Sequence, residues 1–132
     1  MTLLSTLIPK SDVACLDGDD TLRAAVAKMA HHRYATIPVI GSQGHYLYCI
    51  STGDILFYLQ EHDLTLREME NVSLSVVPIY RPLTALPLTS DEQKIKEALL
   101  NQTFVPMVDE RGIFVGIITR KSLTQYLLKE KA

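Results

Sequence analysis

FVGIITRK, residues 114–121, is the stretch that decides how this sequence is interpreted. It predicts a short apolar strand that changes abruptly into hydroxyl and cationic residues, and the amphipathic run from Ser122 to Leu128 that follows predicts a helix. The first N–H groups of such a helix point outward, and the helix dipole favours an anion at that end. Arg120 and Lys121 add positive charge at the same place. The stretch is therefore typical of a strand–helix junction that holds a phosphate.

The same layout occurs earlier in the chain. Pro38 lies 13 residues before Ser51 (51 − 38 = 13), and Pro106 lies 13 residues before Thr119 (119 − 106 = 13). The offset between the copies is 106 − 38 = 68 residues, and no gap is needed. The offset also aligns Gly44 with Gly112, Tyr46 with Phe114, Ile50 with Ile118, Tyr58 with Tyr126 and Leu59 with Leu127. We therefore expect two copies of one supersecondary unit that share a core.

Hydrophobic periodicity, turn residues and capping patterns predict the order β-α-β-β-α in each copy. The elements predicted for the first copy are strand 12–16, helix 21–32, strand 36–40, strand 46–50 and a helix from 51 to 60. Those predicted for the second copy are strand 83–88, a helix ending at 101, strands 104–108 and 113–118, and helix 121–129. Repeat 1 is assigned to residues 1–70, with a short amphipathic helix at residues 1–8, and residues 71–132 contain the linker and repeat 2. Helices that flank a small sheet twice over give an α/β fold.

Composition narrows the class of protein. A net charge of −2 over 132 residues argues against a general nucleic-acid binder. The sequence has no run of 18 apolar residues, so no membrane span is predicted. Cys15 and Cys49 are isolated from each other in apolar runs that predict strands. This pattern favours buried thiols over a disulfide, and it indicates a reducing compartment, which we take to be the cytoplasm. The four histidines have no metal-ligand spacing, so no metal site is predicted. Ser51 and Thr119 have no sequence sign of an activating base, which argues against an enzyme.

At this point the residues resemble a known family, the CBS domain, which occurs in tandem as a Bateman module. The resemblance is carried by residues 35–39 (ATIPV) with 51–54 (STGD), and by residues 103–107 (TFVPM) with 116–119 (GIIT). It implies a tandem pair of β-α-β-β-α repeats related by a pseudo-two-fold axis. It also implies a homodimer that forms through the helices after each motif strand. The interface residues that this suggests are Leu56, Leu59, Leu123 and Leu127.

The resemblance implies two crossed nucleotide sites, in which the first strand and pre-proline residues of one copy face the Thr-x-x-Asp segment of the other. The residues implied for the first site are Lys10, Asp12, Val13, Ala14, Ala35, Thr36, Ile37, Pro38, Thr119, Arg120, Lys121 and Ser122. Those implied for a possible second site are Ser51, Thr52, Asp54, Thr84, Ala85, Phe104 and Val105. Such sites typically hold AMP, ADP, ATP, S-adenosylmethionine or cyclic di-AMP as a regulatory ligand, without a separate cofactor.

The terminal position of the motif bears on which nucleotide is bound. In the family pattern an aspartate accepts hydrogen bonds from both ribose hydroxyls, and Asp54 keeps this group whereas Ser122 does not. A cyclic dinucleotide has no vicinal diol, because its 3′ oxygen is esterified, and it places two phosphodiesters near any cations. The first site therefore favours cyclic di-AMP, and the chain resembles the small stand-alone CBS-pair proteins of Gram-positive bacteria that bind it. At the second site Tyr48 replaces the motif glycine, which argues against a bound nucleotide.

Three functions remain open from the sequence. The first is a cyclic di-AMP sensor that signals through an unidentified effector protein. The second is a sensor of AMP, ADP or ATP that uses Asp54, and the third is a structural interaction module that binds no nucleotide. Four of the site residues also have a simpler interpretation: Arg120 and Lys121 as solvated cations, Asp54 as a first-turn helix acid, and Thr36 as an ordinary β-branched strand residue.

Overall fold

The computed structural model describes residues 2–130, and its contacts divide the chain into two compact units. The central unit is Ala14–Pro82, and the terminal unit combines the residues up to Val13 with those from Leu83 onward. Each unit has its own sheet and helices, as predicted for repeated β-α-β-β-α units, and its own cluster of buried hydrophobic residues, whereas a core shared by the two copies was predicted. The assignment of repeat 1 to residues 1–70 and repeat 2 to residues 71–132 stays a prediction.

The central unit is a three-stranded sheet, in the order β2-β3-β4, with two α-helices. Its elements are β2 (Leu16–Asp17), α1 (Leu22–His32), β3 (Thr36–Ile40), β4 (Tyr46–Ser51) and α2 (Thr52–His62), followed by 3₁₀ helices Glu68–Asn71 and Leu74–Val76. β3 is parallel to β2 and antiparallel to β4. The apolar faces of the sheet and both helices enclose a core that includes Leu22, Ile37, Ile50, Met69 and Leu74.

The terminal unit is a four-stranded sheet, in the order β1-β7-β6-β5, with two further α-helices. Its elements are 3₁₀ helix Leu3–Thr6, β1 (Ile8–Pro9), 3₁₀ helix Lys10–Asp12, β5 (Leu86–Pro87), α3 (Glu92–Asn101), β6 (Phe104–Val108), β7 (Phe114–Thr119) and α4 (Arg120–Glu130). We call residues 3–12 the N-terminal strap. Its antiparallel pairing with β7 and the burial of Leu3 make the strap part of this unit.

Several predicted boundaries are wrong, and strand pairing or a helix cap explains most of the differences. The predicted strands 12–16 and 83–88 shorten to two residues each, since β2 and β5 pair only with the ends of β3 and β6. The predicted helix at residues 1–8 is a single 3₁₀ turn followed by β1, and Met1 lies outside the described residues. The sequence DGDD at residues 17–20 predicts a turn that caps α1, but the cap is Thr21, whose side chain accepts the Ala24 N–H. Residues 90–93 resemble a capping box that begins at Ser90, but the cap of α3 is Asp91, whose side chain accepts the Lys94 N–H.

The motif prolines lie in interior strands of their sheets, whereas a proline within a strand sequence predicts an edge or strand-start position for Pro38. β3 is the central strand, but β2 contacts it only from Val39 onward, so Pro38 has no neighbour on that side. Pro106 has the same relation to β5, which begins its pairing at Met107. The missing N–H of each proline therefore breaks no hydrogen bond of the sheet on that side.

Neither cysteine forms a disulfide, and only one of them lies in a strand as predicted. Cys49 is buried in β4, where the Tyr46 hydroxyl lies 3.4 Å from its sulfur. Burial raises the pKa of the Cys49 thiol to about 12, so it stays protonated at neutral pH. Cys15 is half-buried and precedes β2.

Candidate functional site

The start of α4 is built around Thr119, as the sequence predicted for a strand–helix junction. The Ser122 N–H donates to Thr119 Oγ1 at 2.9 Å, and the two hydroxyl oxygens of Thr119 and Ser122 lie 2.9 Å apart. Two hydroxyl groups carry two protons, and the contact between them uses one. One hydroxyl proton therefore remains available to an acceptor outside the helix.

A cavity of about 440 Å³ opens at this junction within the terminal unit. α4 contributes two lysines to it, and among the residues described as its lining there is no acidic one. The strap supplies the hydroxyl groups of Ser5 and Thr6, so the cavity combines positive charge with hydrogen-bonding groups. The lining residues are Ser5, Thr6, Ile8, Thr119, Lys121, Ser122, Gln125, Tyr126 and Lys129.

Arg120 makes structural contacts that the sequence did not reveal. Its Nε donates to the Leu99 carbonyl at 2.8 Å and its Nη2 to the Leu100 carbonyl at 3.3 Å. These are carbonyls of the last turn of α3, which have no partner within the helix, and a cation there also complements the helix dipole. Arg120 therefore joins the start of α4 to the end of α3, and its predicted role as a phosphate ligand stays a prediction.

The strap and Val13, which follows it, carry three further residues of the predicted first site. Lys10 and Asp12 are exposed in the second 3₁₀ turn, which is closed by the Val13 N–H bond to the Lys10 carbonyl. This turn follows β1 directly, so the pairing of β1 with β7 holds it in the same unit as Thr119. Lys10, Asp12 and Val13 thus belong to one structural unit with the start of α4.

The remaining residues of the predicted first site lie in the central unit. Ala35 is exposed and its carbonyl accepts the Thr52 N–H at 2.9 Å, whereas Ile37 and Pro38 are buried in β3. Thr36 is half-buried at the start of β3, and Ala14 packs against the central core. Their approach to the start of α4 stays a prediction.

Asp54, the predicted ribose ligand of the second site, is buried and hydrogen-bonded to the protein main chain. Its Oδ2 accepts the Ser51 N–H at 3.0 Å and its N–H donates to Ser51 Oγ at 3.0 Å, which is a capping box. Its Oδ1 accepts the Tyr80 N–H at 3.1 Å, so the carboxylate also holds the segment that follows the 3₁₀ helix Leu74–Val76. This geometry supports the simpler interpretation of Asp54 as a helix-capping acid.

The other predicted second-site residues belong mostly to the terminal unit. The N–H and carbonyl of Thr84 both bond to the side chain of Gln102, and Phe104 and Val105 begin β6. Ala85 precedes β5, and Ser51 and Thr52 form the start of α2 in the central unit. The meeting of these residues around one ligand stays a prediction.

The motif glycine has a structural reason that the sequence did not reveal. A Cβ atom on Gly116 would collide with the Ile8 carbonyl, because β1 passes directly beside it. At the aligned position 48, β4 has no strand on its outer side among the described residues, and a tyrosine fits there. The Tyr48 ring packs on the central core with its hydroxyl buried and without a described partner, which raises its pKa.

α4 and α2 differ in charge, both in the first turn, at Lys121, and in the last turn, at Lys129. The 68-residue offset aligns Lys121 with Gly53 (121 − 68 = 53) and Lys129 with Glu61 (129 − 68 = 61). α4 therefore presents two cations at positions where α2 has a glycine and an acid. Of the two junctions, the one at α4 is the better suited to a phosphate.

Among residues 2–130, no helix is long and apolar enough to cross a membrane. In the same part of the chain, no three histidine, cysteine or acidic side chains are grouped so that they could hold a metal ion.

Comparison with known proteins identifies the fold. Residues 5–61 match the family model of the CBS domain, and no curated protein matches the chain. The solved structure of CbpB in complex with c-di-AMP superposes with a TM-score of 0.87 at 25% identity, over 98% of this chain and 85% of that chain. CbpB from Streptococcus agalactiae gives 0.82 at 27% identity, over 96% and 82% of the two chains. A CBS domain protein from Streptococcus pneumoniae gives 0.84 at 26% identity, over 95% and 85%.

Proposed function

We propose that this chain, a CBS-domain protein with the fold of a tandem CBS pair, is a regulatory protein that binds cyclic di-AMP. The observation that carries the proposal is the cavity at the start of α4, which has two lysines, free hydrogen-bonding capacity and a serine in place of the ribose-binding aspartate. The likeness to CbpB, which was solved in complex with c-di-AMP, supports the same ligand.

The roles of the residues follow from the chemistry of the ligand. Lys121 neutralises a phosphodiester, and the hydroxyl proton that Thr119 and Ser122 leave free donates to a phosphate oxygen. Ser122 suits a ligand that has no vicinal diol, because a carboxylate there would be an unpaired anion next to a phosphate. In the complete site we place Lys10, Asp12, Val13, Ala14, Ala35, Thr36, Ile37 and Pro38 around the adenine and ribose of the bound nucleotide.

The proposed output is regulatory rather than catalytic. A ligand shifts a protein between two conformations only when it binds one of them more tightly than the other. Nucleotide binding must therefore favour the conformation that exposes a particular protein-binding surface. We infer that a cytoplasmic homodimer presents this surface to an effector protein. Neither nucleic acid nor a membrane is part of the proposal.

A calorimetric titration tests the ligand. Cyclic di-AMP is titrated into the full chain, with AMP and ATP as competitors at a large excess. We expect a Kd of about 1 μM or tighter for cyclic di-AMP, with little competition from the mononucleotides. Tight binding of AMP or ATP with none of cyclic di-AMP would contradict the proposal.

A groove in the central unit favours an interaction module as a second candidate function. A cavity of about 610 Å³ between α1 and α2 has a mostly apolar lining that includes Leu56, Leu59 and Leu66. Leu56 is 60% exposed and Leu66 is 63% exposed, and both would gain from burial against a second chain. The homodimer predicted from the sequence also uses Leu56 and Leu59, so the two functions are compatible.

A further inference from the structure

We propose that Glu92, on α3, is a positioning residue that fixes the N-terminal strap as one wall of the nucleotide site. Glu92 does not line the cavity itself, and it acts through Leu3 and Tyr126. The inference rests on the proposed function of the α4 junction and adds a residue that neither the motifs nor the family resemblance indicates.

Glu92 joins three elements of the terminal unit. Its Oε1 accepts the Leu3 N–H at 2.9 Å, and the Tyr126 hydroxyl lies 3.1 Å from both carboxylate oxygens. The carboxylate therefore links the first residue of the strap to α3 and to α4. The Leu3 N–H bond is the main reason why the pKa of Glu92 lies below its usual value, so the carboxylate is ionised at neutral pH.

The position of Leu3 determines the position of the cavity wall. Leu3 is fully buried in the core of the terminal unit, and Ser5, Thr6 and Ile8 of the same strap line the cavity. Tyr126, the second partner of Glu92, lines the cavity from α4. The Glu92 carboxylate is thus bonded both to the strap, at Leu3, and to α4, at Tyr126, the two elements that form the cavity walls.

Besides the Leu3 N–H bond and the packing of its apolar side chains, the described attachment of the strap to its unit is a short strand pairing. β1 contributes two paired residues, Ile8 with Ile117 and Pro9 with Gly116, and a proline donates no hydrogen bond. A pairing this short is marginal without further anchoring. The predicted ligand residues Lys10 and Asp12 follow directly after it, so loosening the strap would also displace them.

The central unit anchors a comparable segment in a different way. Leu74 also begins a 3₁₀ helix with a fully buried side chain, but its N–H bonds to the main-chain carbonyl of Asp20 at 3.0 Å. The residue aligned with Glu92 is Ala24 (92 − 68 = 24), which has no acceptor in its side chain. Of these two segments, only the strap relies on a side chain to accept the N–H of its buried leucine.

The test uses Glu92→Ala and Glu92→Gln in the full chain, with Glu97→Ala as the control on the exposed face of the same helix. The Kd for cyclic di-AMP is measured by calorimetry, and amide hydrogen exchange is measured over residues 2–12 and over β6. We expect Glu92→Ala to weaken binding about tenfold, because a smaller fraction of the protein then has the strap in place. Glu92→Gln should have a smaller effect, since its amide oxygen still accepts the Leu3 N–H.

Hydrogen exchange separates positioning from a general loss of structure. We expect faster exchange over residues 2–12 in ligand-free Glu92→Ala, recovery at saturating cyclic di-AMP, and no change over β6. Unchanged affinity in Glu92→Ala, or faster exchange over β6 that the ligand does not reverse, would overturn the inference while wild-type binding stands. Absence of cyclic di-AMP binding by the wild-type chain would instead overturn the proposed function and, with it, this inference.

Discussion

At the scale of single residues, Gly116 shows how a motif position is set by main-chain packing. Gly116→Ala should lower the free energy of unfolding by roughly 1–3 kcal/mol, because the added Cβ must push the Ile8 carbonyl of β1 aside. Urea denaturation measures this change. Gly53→Ala is the matched control, since its Cβ would lie 3.6 Å from Ser51 Oγ in ordinary contact and should change stability by less than about 1 kcal/mol. Equal stabilities of the two variants would contradict this account of the glycine.

A substitution at Asp54 tests whether its carboxylate acts as a helix cap or as a ribose ligand. Asp54→Asn replaces one acceptor oxygen with a donor, so either the Ser51 or the Tyr80 N–H loses its partner, at a cost of about 1–3 kcal/mol. We expect a lower unfolding free energy with cyclic di-AMP affinity unchanged. Asp63→Asn is the control, because Asp63 ends α2 in the left-handed conformation that asparagine tolerates. Loss of nucleotide binding in Asp54→Asn at full stability would favour the AMP, ADP or ATP sensor.

At the scale of elements, the long amphipathic runs were predictable and the short strands were not. β3 and β6 have the predicted bounds, residues 36–40 and 104–108, because their apolar runs end at clear turn residues. β1 could not be predicted, since its two residues gain their extended conformation only from pairing with β7. The close approach of β1 is reflected in the sequence only by the glycine at position 116, and a nearby ligand would explain that glycine equally well.

The candidate site shows the same division between local and long-range information. Thr119, Lys121 and Ser122 follow from the strand–helix pattern alone, and the structure places them on one cavity. The engagement of Arg120 with the Leu99 and Leu100 carbonyls depends on how α3 ends beside α4, which no local pattern encodes. The contribution of the strap to the cavity is likewise a contact between distant parts of the chain.

At the scale of the whole molecule, the apolar groove of the central unit predicts self-association. Leu56→Glu should convert a homodimer into a monomer, because it places a charge in the exposed apolar lining of the groove. Sedimentation velocity measures the change in mass. Leu100→Glu is the control, since Leu100 is 78% exposed on α3 and lies outside the groove. A monomeric wild-type chain, or a dimer that persists in Leu56→Glu, would contradict the predicted interface.

The most direct test of the central claim, that the α4 junction binds a cyclic dinucleotide through its cations, is one calorimetric comparison. Cyclic di-AMP is titrated into wild type, Lys121→Gln and the control Lys94→Gln, whose side chain is exposed on α3. Lys121 is preferred to Arg120 for this purpose, because replacing Arg120 would also break its bonds to α3. We predict that Lys121→Gln weakens binding about tenfold or more, the effect of a lost charge-assisted bond, whereas Lys94→Gln binds as wild type does. Equal affinities for all three proteins would contradict the account.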